Sequence, residues 1–281
     1  MRKKGIRRII ASAAAIGLVL SLCACSGSGN APAGLEKMGA VTAMTREADS
    51  GTRGTFDDLT GIVSEGSGLT AAGSTEEVLQ KVAGDENAIG YLTQDAADKS
   101  VKVLKVEGKS IDDKDYPMTR KLYLVNKGSL NDLEKEFVTY VTGKGQEIVE
   151  KEFEPVGKSK MFLSLKPKGT IRIAGSSSEA PVMEKLAKAY MAINPNAKVT
   201  VETSDSGTGI NDALEGKCDL GMSSRSPKSY EQNLLTFTPV AKDRIAVIVP
   251  ASSPLEDITL DQLKAIYTGK VTKWPDLFDQ Q

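Results

Sequence analysis

Two spacings of apolar residues alternate along the chain. Short continuous apolar runs mark buried strands, and stretches with apolar residues roughly three to four apart mark amphipathic helices. In the first half, Ala40–Met44, Ala88–Leu92, Val101–Val106 and Lys121–Val125 read as strands. Between them, Ser50–Phe56 predicts a turn into a helix, and Ser74 with Glu77 forms a capping box before a helix carrying Val78, Leu79 and Val82. Leu130, Leu133, Phe137, Val138 and Val141 share one side of a further helix. Residues 154–169, punctuated by Pro155, Gly157, Pro167 and Gly169, read as a connector whose Met161–Leu165 part is expected to pack.

The second half has the same grammar. Thr170–Ala174 and Val199–Thr203 are strands, and a helix from about Pro181 to Ile193 buries Val182, Leu186, Ala189 and Tyr190. Ser204–Ile210 turns into a helix with Ala213 and Leu214. Cys218–Met222 is a short strand or a turn approach, Arg244–Val249 an apolar strand, and Leu260, Leu263, Ile266 and Tyr267 mark a last amphipathic helix. Strands alternating with helices place the chain in the α/β class.

The N-terminus departs from this pattern. Arg2, Lys3, Lys4, Arg7 and Arg8 precede an apolar run from Ile9 to about Leu22, a basic region and a hydrophobic region too short for a membrane span. The run ends in Leu22-Cys23-Ala24-Cys25, and Cys25, with a small residue before it, fits the lipid-accepting cysteine of a bacterial lipobox. The alternative is an ordinary signal peptide with incidental cysteines. Residues 1–24 are therefore expected to be a lipoprotein signal peptide and 25–35 a lipidated tether, since Ser26–Pro32 has a linker's composition. The expected location is the outer face of a cell membrane, in a Gram-positive organism.

Composition narrows the chemistry. Removing the segment before Cys25 takes the formal charge from -1 to -6. An acidic body lacks the basic stripe that nucleic-acid binding needs. There is no histidine, which excludes His triads and His-ligated zinc, and Cys218 alone remains in the body, so no internal disulfide forms. Six Phe and one Trp leave the core to aliphatic residues, as in buried sheets. The remaining length, about 245 residues, suits one large domain or two small lobes.

Four strand-to-helix junctions are rich in hydroxyls and glycine: Asp49–Arg53, Gly175–Ser178, Ser204–Gly209 and Gly221–Arg225. Helix N-termini present unpaired N–H groups that favour an anion, and serine and threonine add donors. A serine there also serves simply as an N-cap. Arg46 stands four residues before Ser50, and arginine offers a planar, permanently charged fork for an oxyanion. No nucleotide-binding loop and no paired acid and base are present, so the junctions are suited to surround an anion rather than attack one. No enzyme activity and no cofactor are expected.

Ile173–Ser178, Asp205–Ile210, Asp219–Arg225, Asp243–Val249 and Ile266–Trp274 resemble, in order and spacing, the first half of the PstS-like phosphate-binding proteins of ABC transporters. Thr45–Arg53, Ala88–Tyr91, Tyr116–Arg120 and Gly145-Gln146 resemble the second half. The halves stand in exchanged order, which looks like a circular permutation with 154–169 joining the family's usual ends. The resemblance implies a two-lobed periplasmic-binding-protein type II fold, α/β, with the ligand cleft between lobes. One lobe would be split, 36–115 plus 247–281, and the other continuous, 116–246.

The same resemblance implies phosphate contacts from Arg46, Ser50, Gly51, Thr52, Ser177, Ser178, Ser206 and Ser224, with Asp49, Asp205 and Arg225 as possible support. It implies a monomer that captures inorganic phosphate and hands it to ABC transporter permease subunits. Ser224 stands where the family's best-known members carry an aspartate that accepts the hydrogen of protonated phosphate. Competing readings are a receptor for another oxyanion and a surface adhesion or sensing protein that reuses the fold. The geometric test is whether Arg46, Ser50, Ser177 and Ser206 converge on one space.

Overall fold

The computed structural model describes residues 31–279, which belong to one compact unit. Cys25 and the signal-peptide segment lie outside the described residues. The strands are β1 (Thr42–Arg46), β2 (Thr70–Ala72), β3 (Ala88–Thr93), β4 (Val101–Val103), β5 (Lys105–Val106), β6 (Thr119–Asn126), β7 (Glu154–Pro155), β8 (Gly169–Ser176), β9 (Ala197–Ser204), β10 (Leu220–Ser223), β11 (Thr236–Pro250) and β12 (Asp257–Ile258). The helices are α1 (Gly51–Thr60), α2 (Thr75–Ala83), α3 (Asp132–Thr142), α4 (Gln146–Val149), α5 (Ala180–Ile193), α6 (Ser206–Glu215) and α7 (Leu260–Tyr267).

One sheet runs in the order β2-β1-β3-β11-β6-β10-β8-β9, with β4 and β7 also on β11. Its outer thirds are parallel, β2-β1-β3 on one side and β10-β8-β9 on the other. The middle is antiparallel and turns on β11. The first part of β11 pairs with β6, from Thr236 opposite Asn126 to Arg244 opposite Thr119. From Ile245 onward it pairs with β3, and then with β4. One strand thus serves both halves of the sheet.

The apolar cores separate at the same place. One gathers residues from Leu122 to Ala241, including Phe137, Tyr190, Ile171 and Met222. Two more take residues from Leu35 to Met118 and from Ile245 to Leu277, including Phe56, Tyr91, Tyr267 and Trp274. In the latter, Phe56 stacks on Tyr91 at 3.9 Å between ring centroids, and Tyr267 meets Phe56 edge-on at 4.8 Å. Each half of the sheet is thus backed by its own buried apolar residues, which hold the elements that present the loops at the middle.

Several expectations shift in the structure. Arg244–Val249 is only the end of a long strand, because Pro239 and its polar neighbours mask the earlier part; a bulge between Pro239 and Ala241 absorbs the missing donor. Val101–Val106 breaks at Leu104, where the chain leaves β11 and Lys105 N–H turns to Glu256 O at 3.0 Å. The Ser74 hydroxyl does accept from Glu77 N–H, at 3.1 Å. The Glu77 carboxylate, however, accepts from Gly73 N–H at 2.7 Å, not from Ser74, so the box closes one residue early. In the connector only Phe162 packs; Met161, Leu163 and Leu165 stand out in solvent.

Candidate functional site

β1 ends in Arg46, and the loop after it enters α1 with Ser50 as N-cap, its hydroxyl accepting from Arg53 N–H at 3.4 Å. Gly51 and Thr52 are therefore the first two helical residues, and their N–H groups have no partner within the helix. The same logic places Ser206 at the start of α6, where Asp205 is the N-cap, and puts Ser177 and Ser178 in the turn between β8 and α5. Ser224 follows β10 directly, but the chain then runs through a loop to a single 3-10 turn at Glu231–Asn233, so this junction, unlike the other three, leads into no α-helix. Four sequence-distant junctions thus open toward the central strands.

The structure brings them together. Thr52 Oγ1 lies 2.9 Å from Ser178 Oγ, and Arg46 Nη2 donates to Ser177 Oγ at 3.2 Å. Ser206 Oγ accepts from Ser224 N–H at 3.0 Å, and the two hydroxyls lie 3.3 Å apart. Gly51 faces this pair so closely that a Cβ there would run into Ser206 and would stand 2.7 Å from Ser224 Oγ. Gly207 N–H donates to Asp49 O at 3.0 Å, tying the α1 loop to the α6 loop. Arg46, Ser50, Thr52, Ser178, Ser206 and Ser224 are all buried.

Of the supporting residues, Asp49 contributes that carbonyl contact and is otherwise exposed. The Asp205 carboxylate is occupied by Thr208, accepting from its N–H at 2.8 Å and its hydroxyl at 2.7 Å. Arg225 forms a bidentate pair with Glu231 at 2.7 and 2.8 Å. None of the three side chains joins the hydroxyl cluster. Ser50 is buried beside the cluster but spends its hydroxyl on the cap.

Five further side chains complete the site, and sequence reading did not single them out. The Arg46 guanidinium is held by Glu47, with Nε and Nη2 donating to the two carboxylate oxygens at 2.7 and 2.6 Å. Thr75, first residue of α2, lies 3.2 Å from Ser177 Oγ and accepts from Arg46 Nη1 at 3.3 Å. Arg120 Nη1 donates to Thr52 Oγ1 at 2.8 Å, while its Nε donates to Asp243 at 2.7 Å. Arg120 and Asp243 are direct cross-strand partners on β6 and β11. Their side chains are essentially without solvent, and Arg120 Nη2 has no partner among the described residues. The signal for this pair was a register, and register needs the far half of β11, which the sequence concealed.

Glu179, immediately after Ser178, is fully buried, and neither carboxylate oxygen meets a hydrogen-bond partner. Burial pushes its carboxyl well above the usual range, against the pull of the Tyr123 and Ser223 N–H groups and of the Arg120 charge. Among the described residues no group of three or more carboxylate or cysteine side chains is placed to hold a metal. Hydroxyls, helix N-termini and two guanidinium groups converge on one place: the equipment for binding an oxyanion without reacting with it.

Residues 30–144 and 164–281 match the model of the PBP superfamily domain. Phosphate-binding protein PstS 2 of Streptococcus agalactiae serotype V is 35% identical over 296 residues, covering 99% of each chain. Phosphate-binding protein PstS of Bacillus subtilis is 32% identical over 115 residues, 40% of this chain and 38% of the relative. The crystal structure of a phosphate ABC transporter phosphate-binding protein from Streptococcus pneumoniae superposes with a TM-score of 0.69 at 32% identity, covering 85% of this chain and 100% of that one.

Proposed function

The chain belongs to the PBP superfamily, among the PstS-like phosphate-binding proteins, and from that membership we propose that it captures inorganic phosphate for an ABC-type uptake transporter. It is a binding protein and not an enzyme. The observation that carries the reading is the meeting of Thr52 with Ser178 at 2.9 Å, hydroxyls supplied by elements packed on different cores. A tetrahedral oxyanion has several acceptors per face, and it replaces such hydroxyl-to-hydroxyl contacts with charge-assisted ones. Arg46, Ser50, Gly51, Thr52, Ser177, Ser178, Ser206 and Ser224 are proposed as its surroundings, with Thr75 and Arg120 added from the geometry.

The two halves are proposed as the lobes of a hinged receptor, one split and one continuous; the expected bounds, 36–115 plus 247–281 and 116–246, shift slightly, because Tyr116, Met118, Ile245 and Ala246 pack in the cores of the split half. β6 and β11 run at the boundary between the cores, so the cleft would open by bending there. The exchanged order of halves is supported by the short match to the Bacillus relative, since a collinear comparison of permuted chains can follow only one half at a time. An anchor at Cys25 would hold the receptor outside the membrane, beside its permease; metabolic labelling with palmitate, lost in Cys25→Ala, tests that part.

Ser224 favours a second reading, a receptor of broader oxyanion choice, because a hydroxyl does not repel a dianion as an aspartate does. Equilibrium dialysis of the phosphate-stripped protein with radiolabelled phosphate separates them. Retention of phosphate against a large excess of sulfate supports phosphate capture. Displacement by equimolar sulfate supports the broader receptor, and no retention of either anion removes both.

A further inference from the structure

The connector carries a feature that anion capture does not use. Lys158-Ser159-Lys160-Met161-Phe162-Leu163-Ser164-Leu165-Lys166-Pro167-Lys168 forms no sheet ladder, yet its residues from Met161 to Leu165 alternate direction as in any extended chain. Phe162 turns inward, its ring centroid 5.2 Å from that of Tyr140 and 6.3 Å from that of Tyr190. The Ser164 hydroxyl and Leu165 N–H donate to the two Glu136 carboxylate oxygens at 2.6 and 2.7 Å. Met161, Leu163 and Leu165 are left 101%, 85% and 87% exposed. The turn that ends the run is also built. Lys166 takes φ 56°, the left-handed region that non-glycine residues seldom adopt, and its N–H donates to Ser164 Oγ at 2.9 Å. The three apolar side chains are held outward by a pinned backbone.

Lysines flank them on both sides. Lys158, Lys160, Lys166 and Lys168 are exposed and take part in none of the ion pairs among the described residues. This cationic stretch lies on a body whose formal charge after Cys25 is -6, so it opposes the overall sign. Part of it, including Met161 and Leu163, falls between the two matched segments of the superfamily domain, outside what the shared fold requires.

We propose that this ridge docks on an anionic lipid surface. A ridge of thioether and isobutyl groups gains free energy by entering the headgroup boundary, and flanking lysines meet lipid phosphates while their stems stay apolar. The projecting shape and the two-sided lysine flanks suit a soft charged plane. The proposal is independent of the phosphate reading. Leu35, where the tether enters the described fold, belongs to a different core, so the ridge would be a second point of membrane contact.

The described residues form one compact unit, so the body from Ala31 onward can be tested without the anchor segment. Vesicle flotation at low salt with phosphatidylglycerol-containing bilayers is expected to carry the protein, with at least tenfold weaker partitioning into pure phosphatidylcholine. Met161→Ser/Leu163→Ser/Leu165→Ser is expected to cut partitioning tenfold or more. Replacing the four lysines by glutamine is expected to abolish the preference for anionic lipid and the salt dependence. Phosphate binding should be unchanged in both variants, which reports an intact fold. Wild-type protein that stays in solution with anionic vesicles, or a triple-serine variant that floats as well as wild type, overturns the proposal. Flotation only with vesicles carrying the permease overturns the lipid assignment too.

Discussion

Thr52 Oγ1 stands between Ser178 Oγ, 2.9 Å away, and Arg120 Nη1, 2.8 Å away. Thr52 is the second residue of a helix whose Phe56 is packed in one core, while Ser178 precedes a helix whose Val182 and Leu186 are packed in another. One hydroxyl therefore senses both halves of the molecule. Ligand affinity and cleft closure are expected to be coupled through it, and each substitution below reads out one side of that coupling.

Gly51→Ala places a Cβ against Ser206 and 2.7 Å from Ser224 Oγ, atoms supplied by the other half. On the proposed hinge the clash would arise only when the halves are together, so an open form would tolerate it. Phosphate affinity is expected to fall at least tenfold, about 1.4 kcal/mol. Circular dichroism should be unchanged, and a variant that binds as wild type would show that the halves need not approach this closely.

Arg46→Lys tests the guanidinium fork. Arg46 is 2% exposed and makes contacts to Glu47, Thr75, Ser177 and Ala72 O that a single ammonium cannot reproduce. Loss of charge-assisted, bidentate geometry predicts roughly a 10- to 100-fold weaker phosphate Kd, about 1.4–2.7 kcal/mol. Arg46→Ala should be weaker still, and Kd by fluorescence or calorimetry ranks the three proteins.

Asp243→Asn addresses stability. Asp243 accepts from Arg120 Nε at 2.7 Å and from Thr93 Oγ1 at 2.9 Å, with no solvent access. Removing one partner of a buried ion pair leaves the other charge uncompensated, and such changes cost about 3–5 kcal/mol. The urea midpoint is expected to drop accordingly, with a smaller drop for the exposed pair variant Lys144→Gln, where such pairs contribute under about 1 kcal/mol.

Asp57 on α1 gives a pH dependence. Burial raises its carboxyl from 3.8 to about 7, with the Glu65 charge adding to the rise and Arg53 opposing it. The folded state therefore favours the protonated form. Stability from this group is complete below pH 3.8, is lost as pH rises toward about 7, and stays lost above. Asp57→Asn is expected to stabilise the protein by roughly 1–3 kcal/mol at pH 8 and by little at pH 4. Thermal melts at both pH values check the sign.

Much of this was legible in the chain and some of it was not. The helices with clear caps and apolar stripes, such as those entered at Ser50 and Asp205, announce themselves through local chemistry. So do three of the hydroxyl-rich junctions, because a strand turns into a helix there; the fourth, Gly221–Arg225, leads from β10 into a loop. What local chemistry cannot report is pairing. The Arg120–Asp243 contact depends on the register of β6 against β11, and Pro239 hides the start of β11 behind a residue that ordinarily ends strands. Thr75 was legible only as the start of a helix; its place beside Ser177 comes from how the halves meet. Met161, Leu163 and Leu165 read as packing residues because apolarity alone does not say which way alternate side chains will point.

Phosphate capture in the cleft is tested most directly by calorimetric titration of phosphate into protein stripped of bound anion, at two temperatures so that a vanishing enthalpy cannot conceal binding. A saturable, one-to-one isotherm for wild type, shifted to weaker affinity in Gly51→Ala and Arg46→Lys, is the predicted result. No saturable heat at either temperature, or an isotherm identical in all three proteins, would contradict the account.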